Sequence, residues 1–223
     1  MNNVTVFDII GPILVGPSSS HTAGAVRLGI MAGKILGCPV RSADVYLHGS
    51  FDKSGEGHGT RKAIAAGLLG LQPDDERVRD GLELAHSSGV AIAYHSWDGG
   101  DIHPNTAMFH LVGGDPERTC QMVGSSVGGG RIVVNRIDEF EVDFTGSYPT
   151  LIVQHKDSPG MVAAISSQLA QASINIAQMK LSREGKGKRA LSIIETDQVP
   201  PESLFRQLEG LPDVERVIFI EPL

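Results

Sequence analysis

Three short polar strings in the first two thirds of the chain hold the residues best suited to chemistry. The first, Gly16-Pro17-Ser18-Ser19-Ser20-His21-Thr22-Ala23-Gly24, places three serines, a histidine and a threonine directly ahead of an apolar helical pattern. Hydroxyl donors beside the unpaired N–H groups of a helix start favour a bound carboxylate. A lone serine there would ordinarily be an N-cap, but five polar residues exceed what one cap requires. His21 adds a group that takes up or delivers a proton near neutral pH. The second string, Gly49-Ser50-Phe51-Asp52-Lys53-Ser54-Gly55-Glu56-Gly57-His58-Gly59-Thr60, has glycines spaced for close backbone approach to a small ligand. Lys53 and His58 are its candidate proton carriers, and Thr60 is the expected cap of the next helix. The string matches neither the GxxxxGK(S/T) phosphate loop nor the GxGxxG dinucleotide fingerprint, which disfavours ATP and NAD. In the third, His103-Pro104-Asn105-Thr106, the proline holds His103 extended and Asn105 offers a donor and an acceptor at a strand start. A plain turn accounts for that string equally well.

Regular elements must hold these strings. Val26, Ile30, Met31, Ile35 and Leu36 recur at helical spacing after the first, and Gly37 and Pro39 are stop signals. Residues 43–48 read as a strand ahead of the second string, with a helix following it through Leu71. Residues 107–112 read as a strand after the third. Two further β-rich stretches, 119–126 and 131–144, hinge on Gly128-Gly129-Gly130. From 151 onward the order is βαββαβ. A strand at 151–155 leads through Asp157-Ser158-Pro159-Gly160, with Pro159 expected at the first helical position, into a helix carrying Val162, Ile165, Leu169 and Ala172 on one face. A hairpin of 174–181 and 190–196 turns at the Gly- and Lys-rich tip 184–188. Pro200 and Pro201 open a second helix with Leu204, Phe205 and Leu208, Gly210 ends it, and 214–220 supplies the last strand. The expected architecture is α+β in two domains, a mixed α/β domain at 1–145 and a ferredoxin-like one at 148–223.

Composition narrows the function classes. With 223 residues, 41% hydrophobic and 20% charged, the chain has apolar area for two cores. A formal charge of −7 argues against a nucleic-acid partner, which requires clustered cations. The basic group Arg183, Lys186, Lys188 and Arg189 reads as a solvated hairpin tip. Cys38 and Cys120 stand far apart with no metal-ligand spacing around them, so neither a disulfide framework nor a metal site in this chain is indicated. The apolar start at 4–15 contains Asp8 and Pro12 and lacks a basic leader, unlike a signal peptide. No stretch approaches the ~20 apolar residues of a membrane span. A cytoplasmic protein without a membrane partner is expected.

The C-terminal pattern, with its Asp157-Ser158-Pro159-Gly160 turn, resembles the ACT domain family over about 75 residues. That likeness implies pairing of sheets between copies and, in many members, an amino acid bound near this loop, which makes Asp157, Ser158 and Gly160 effector-binding candidates. A merely capping loop is the alternative. The strings Gly-Pro-Ser-Ser-Ser-His-Thr, Gly-His-Gly-Thr and His-Pro-Asn-Thr, in this order ahead of an ACT-like tail, are similar to the β chains of the bacterial iron–sulfur-dependent L-serine dehydratase family. The resemblance implies a two-chain enzyme converting L-serine to pyruvate and ammonia. Its [4Fe-4S] cluster would be ligated by cysteines of the α chain, and no pyridoxal phosphate would take part. It further implies that Ser18, Ser19, Ser20 and Thr22 hold the substrate carboxylate and that His21 transfers the proton, with Lys53, His58, His103 and Asn105 lining or supporting the pocket. A similar domain paired with an ACT domain serves in some phosphoglycerate dehydrogenases as an allosteric unit. A non-catalytic module binding a small amino or hydroxy acid effector is therefore the competing expectation.

Overall fold

The computed structural model describes residues 15–223, so the apolar start at 4–15 lies outside the described residues apart from Val15. Two compact units divide the chain, Met1–Asp138 and Glu139–Leu223. In the first, a π-helical turn, Ser19–Ala23, runs directly into α1 (Gly24–Leu36). There follow β1 (Val40–His48), α2 (Ser50–Lys53), α3 (Thr60–Leu68), a 3-10 turn (Glu76–Asp80), α4 (Gly81–Ser87), β2 (Ala91–Trp97), β3 (Thr106–Gly113), β4 (Arg118–Gly128) and β5 (Arg131–Ile137). The strands lie in the order β2-β1-β3-β4-β5, with β1 and β2 parallel and the other pairs antiparallel.

The spacing that predicts α1 is the spacing that buries it. Val26, Ile30, Met31, Ile35 and Leu36 are at most 4% exposed, and Gly37 ends the helix in the left-handed region at φ 69°. Ala25, Leu28 and Ala32 are buried as well, because α1 is enclosed by α3 on one side and by β3, β4 and β5 on the other. Two glycines set how closely the helices cross. A Cβ on Gly67 would stand 2.1 Å from the Val26 carbonyl oxygen, and one on Gly29 would stand 2.5 Å from that of Ile64. The backbones touch where a side chain would hold them apart. Four elements, α2, the 3-10 turn, α4 and β2, have no counterpart among the expected ones. β2 is an edge strand whose residues are all half-buried or exposed, so its apolar signal is weak.

The second unit holds β6 (Phe140–Phe144), β7 (Thr150–Lys156), α5 (Met161–Gln171), β8 (Ile176–Arg183), β9 (Arg189–Thr196), α6 (Glu202–Glu209) and β10 (Val214–Ile220). From β7 onward this is the expected βαββαβ order. The sheet runs β10-β7-β9-β8, all antiparallel, with β8 and β10 at its edges. Leu151 and Val153 from β7, Ile194 from β9, Ile165 and Leu169 from α5, and Leu204 and Leu208 from α6 close one core. Sequence reading set the domain division at 145–148. The difference from the compact units is β6, which packs against β8 and β9 and whose Glu141 carbonyl accepts the Ser182 hydroxyl. The start of α5 departs from expectation too. Gly160, at φ 90°, occupies the cap position, so Pro159 precedes the helix rather than opening it. Met161 takes the first core position, in four-residue steps with Ile165 and Leu169, while Val162 is 41% exposed. No helix among the described residues is long and apolar enough to cross a membrane.

Candidate active site

The turn before α1 is held by its own serines. Ser18 is the N-cap, its Oγ accepting the His21 backbone N–H at 3.1 Å. The turn thereby aims the His21 ring at α2. There Nε2 lies 3.0 Å from Ser50 Oγ and 3.4 Å from Ser54 Oγ, while Nδ1 lies 3.3 Å from Ser20 Oγ. Ser50 and Ser54 stand four residues apart, the spacing that brings two side chains to the same side of a helical turn. Phe51 closes the ring's other flank edge-on at 5.4 Å, and the His58 ring lies 5.0 Å away.

The direction of the protons follows from one fixed acceptor. Ser54 Oγ lies 2.9 Å from the Ser50 carbonyl, which can only accept, so Ser54 donates there. Ser54 Oγ then accepts from Ser50 Oγ at 3.0 Å, and Ser50 Oγ in turn accepts the His21 Nε2 proton. On the other side Nδ1 is left as the acceptor, receiving Ser20 O–H, with Ser20 accepting from Ser18 at 3.3 Å. The network thus assigns the neutral ring its proton on Nε2 and its free basicity on Nδ1, beside the serines. Electrostatics favour that neutral form. Burial, then the neighbouring His58, lower the His21 pKa below 6.5, and hydrogen bonding to the Ser50 backbone opposes them in part. His58 is fixed in the opposite sense, because its Nδ1 donates to the Ser54 carbonyl at 2.9 Å and leaves Nε2 free.

Other expected residues take different places. The Thr22 hydroxyl is buried and donates to the His58 carbonyl at 3.3 Å, tying the first string to the second. Ser19 is half-buried in the turn. Thr60 is not a cap. Gly59 holds that position, and the Thr60 hydroxyl donates to the His21 carbonyl at 3.1 Å. Lys53 is exposed and, with Asp52, lines a separate cavity whose lining does not include His21. The third string docks on the second through its backbone, the Pro104 carbonyl accepting the Ser50 N–H at 2.7 Å. Gly49 permits that approach, since a Cβ there would stand 2.7 Å from the same oxygen. His103 is exposed, and its Nδ1 accepts the Asn105 N–H at 3.1 Å. Asn105 Oδ1 and Ser126 Oγ are buried without a hydrogen-bond partner, side by side where β3 and β4 begin and end.

The open space next to this network is a cavity of about 510 Å³, bordered by Gly16, Thr22, Gly57, His58, Lys62 and Arg79. Glu56 shares this lining with Lys62 and Arg79, and Arg79 also pairs with Glu76 at 3.6 Å, so the two cations outnumber the one carboxylate at the rim and leave room for an anionic group. Sequence reading missed both, and also the roles of Ser50 and Ser54. The serine pair carried a legible signal in its four-residue spacing, whereas Lys62 and Arg79 lie on different elements with no local signature. Among the described residues no group of three or more His, Cys, Asp or Glu side chains is placed to hold a metal ion, and neither Cys38 nor Cys120 forms a disulfide.

In the second unit, the Asp157 carboxylate accepts the Gly187 N–H at 3.0 Å and pairs with Arg183 at 3.0 Å, and these contacts hold its pKa below the usual carboxylate value. Ser158 Oγ donates to Asp213 at 2.8 Å. Both side chains thus anchor the loop to neighbouring turns, and neither caps α5, whose cap position belongs to Gly160.

Comparison with known proteins matches the two units to different families. Residues 5–86 match the family described as serine dehydratase beta chain, and residues 149–213 match the ACT domain. A probable L-serine dehydratase beta chain of Bacillus subtilis is 38% identical over 96% of this chain and 96% of its own length. An L-serine dehydratase beta chain of Peptoniphilus asaccharolyticus is 32% identical over 99% of this chain and 100% of its own. A D-3-phosphoglycerate dehydrogenase of Bacillus subtilis is 25% identical over 88% of this chain but only 37% of its own length.

Proposed function

Because this chain belongs to the L-serine dehydratase β-chain family, we propose that it is the β subunit of a two-chain L-serine ammonia-lyase that converts L-serine to pyruvate and ammonia. The observation that carries the chemistry is the His21 ring, held neutral and oriented between hydroxyls, with its basic nitrogen facing Ser20. The hydroxyls of Ser18, Ser19 and Ser20 receive the substrate carboxylate at the start of α1, with Lys62 and Arg79 adding attraction from the cavity rim. On binding, the carboxylate displaces the Ser20 hydroxyl from Nδ1, and His21 Nδ1 takes the α-proton. Ser50 and Ser54 keep the ring from rotating as its charge changes. His58 contributes by keeping His21 deprotonated in the resting state.

The family resemblance implies a [4Fe-4S] cluster on cysteines of an α chain, which when bound would supply Lewis-acid polarisation of the β-hydroxyl. The donor set of this chain is compatible with such a division. Once the α-proton and β-hydroxyl are gone, the enamine tautomerises and loses ammonia in water. The proposed assembly is cytoplasmic, and a second copy pairs through the exposed edges of the C-terminal sheet at β8 or β10. The regulatory reading has weaker support, since this chain covers 37% of a phosphoglycerate dehydrogenase that is 25% identical to it.

The test is anaerobic reconstitution with the α chain. Pyruvate should form from L-serine only when both chains are present, and His21→Ala should abolish turnover while leaving the cluster absorbance and complex formation intact. Turnover by this chain alone, or by the His21→Ala complex, would refute the assignment.

A further inference from the structure

A second crevice, of about 400 Å³, opens at the carboxyl ends of the parallel strands β1 and β2. This is where adjacent parallel strands leave room for a ligand, because the segments that follow them depart in different directions. Its lining comprises His48, Asp52, Lys53, Ser96, Trp97 and Asp98 along with Gly49. None of these side chains takes part in the His21 network. The crevice combines a cation, two carboxylates and a large aromatic ring in a volume suited to a small molecule.

Its polar groups are partly set by their own bonds. Ser96 Oγ donates to Asp52 Oδ2 at 2.6 Å, fixing the side chain that leads from α2. His48 Nδ1 lies 3.1 Å from the Gly99 N–H, which donates to it, and 3.4 Å from the Trp97 carbonyl; the shorter contact favours the neutral ring with its proton on Nε2. The His48 and Trp97 rings meet edge to face at 6.0 Å. Lys53 and Asp98 are exposed at the mouth.

We propose that this crevice binds a free α-amino acid as its zwitterion. The ligand carboxylate lies on the Lys53 ammonium and the His48 Nε2–H, and its ammonium lies between Asp98 and the face of Trp97. Opposite charges a few ångströms apart select a zwitterion over a simple acid or a simple amine, each of which leaves one charged group of the crevice without a partner. The location also gives binding a consequence. α2 is a single turn, Ser50–Lys53, whose Asp52 and Lys53 line the crevice while Ser50 and the following Ser54 hold the His21 ring. A ligand that grips Lys53 and orders this turn acts on the segment that positions His21.

Trp97 is the sole tryptophan of the chain, so its emission reports the crevice directly. The full chain, without its partner, is titrated with L-serine under selective tryptophan excitation, and in parallel with propionate and with propylamine. L-Serine should give a saturable change, and the two singly charged probes should give none. Lys53→Met and Asp98→Asn should each weaken the response by about tenfold or more, with Lys53→Arg restoring most of it. The response should persist in His21→Ala and Ser20→Ala, which separates this crevice from the proposed active site. Absence of any change up to tens of millimolar serine (about ten thousandfold above a typical micromolar site) overturns the proposal. So does a response retained in Lys53→Met and Asp98→Asn but lost in His21→Ala. The readout requires neither α chain nor turnover, so its failure and a failed pyruvate assay are distinct results.

Discussion

Gly67→Ala should destabilise the first unit, whereas Gly33→Ala, at the neighbouring helix, should stabilise it. At Gly67 the added methyl would stand 2.1 Å from the Val26 carbonyl oxygen and 3.0 Å from the Gly29 Cα. Ordinary contact between carbon atoms begins at about 3.5 Å. Neither obstacle is a side chain able to rotate aside, so α1 and α3 must move apart by about an ångström along a seam that buries Val26 and Ile64 completely. Overpacking of this kind costs about 1–3 kcal/mol, while replacing glycine by alanine inside a helix returns about 1 kcal/mol. The net expectation is a loss of up to about 2 kcal/mol. At Gly33 the same methyl meets only the Leu68 carbonyl oxygen, at 3.8 Å. There the helical preference acts alone, and the expected gain is about 0.5–1 kcal/mol. Urea unfolding followed by Trp97 emission measures both, because that residue lies in the first unit. The consequence reaches the site, since α1 begins directly after the His21 turn and α3 begins at Thr60, whose hydroxyl holds the His21 carbonyl. Turnover of the reconstituted enzyme should therefore fall in Gly67→Ala and persist in Gly33→Ala. A Gly67→Ala chain as stable as its parent would show that the helix crossing is not set by backbone contact.

His58→Gln removes the neighbour that, after burial, lowers the His21 pKa, so the acid limb of the kcat/KM profile should move to higher pH. An unmoved limb would exclude that coupling. In the parent, the unfolded chain binds more protons than the folded one between the lowered His21 pKa and 6.5, so this group's contribution to stability is lost as pH falls through that window. Urea midpoints in His58→Gln should depend less steeply on pH there. Ser50→Ala frees the His21 ring from its Nε2 partner and should lower kcat by about ten- to a hundredfold with little change in KM, and Ser50→Thr should recover part of the loss. An equal rise in KM instead would assign Ser50 to substrate binding. In the second unit, Ile165→Ala removes a fully buried side chain and should cost about 2–5 kcal/mol, whereas Val162→Ala at an exposed position should stay within about 0.5 kcal/mol. Urea denaturation followed by circular dichroism distinguishes the two, and a mild Ile165→Ala effect would contradict the core as described.

Much of the fold was legible in the sequence because it depends on geometry within a few residues. The three- and four-residue spacing from Val26 to Leu36, ended by Gly37, specifies α1, and the alternating stretches around the 184–188 tip specify the hairpin of β8 and β9. Helix starts were less legible. Pro159 and Thr60 each look like helix-start residues, yet a left-handed glycine occupies the cap position in both places and frees the Thr60 hydroxyl to hold a distant carbonyl. The edge strand β2 went unread because half-exposed residues carry little apolar alternation.

For the site, residue type and local order singled out Ser18, Ser19, Ser20, His21, Thr22, Lys53, His58, His103 and Asn105 as candidates, of which the structure gathers Ser18, Ser20 and His58 around the His21 ring. Only the tertiary structure decided their partners. His21 meets Ser50, 29 residues away, and the Pro104 carbonyl meets the Ser50 N–H from 54 residues away, contacts that no local pattern encodes. The same one-turn helix sends its serines toward the histidine and Lys53 toward a different crevice. Neighbouring positions in sequence thus line different places, and which side chain reaches which is settled by how the turn packs in the folded chain.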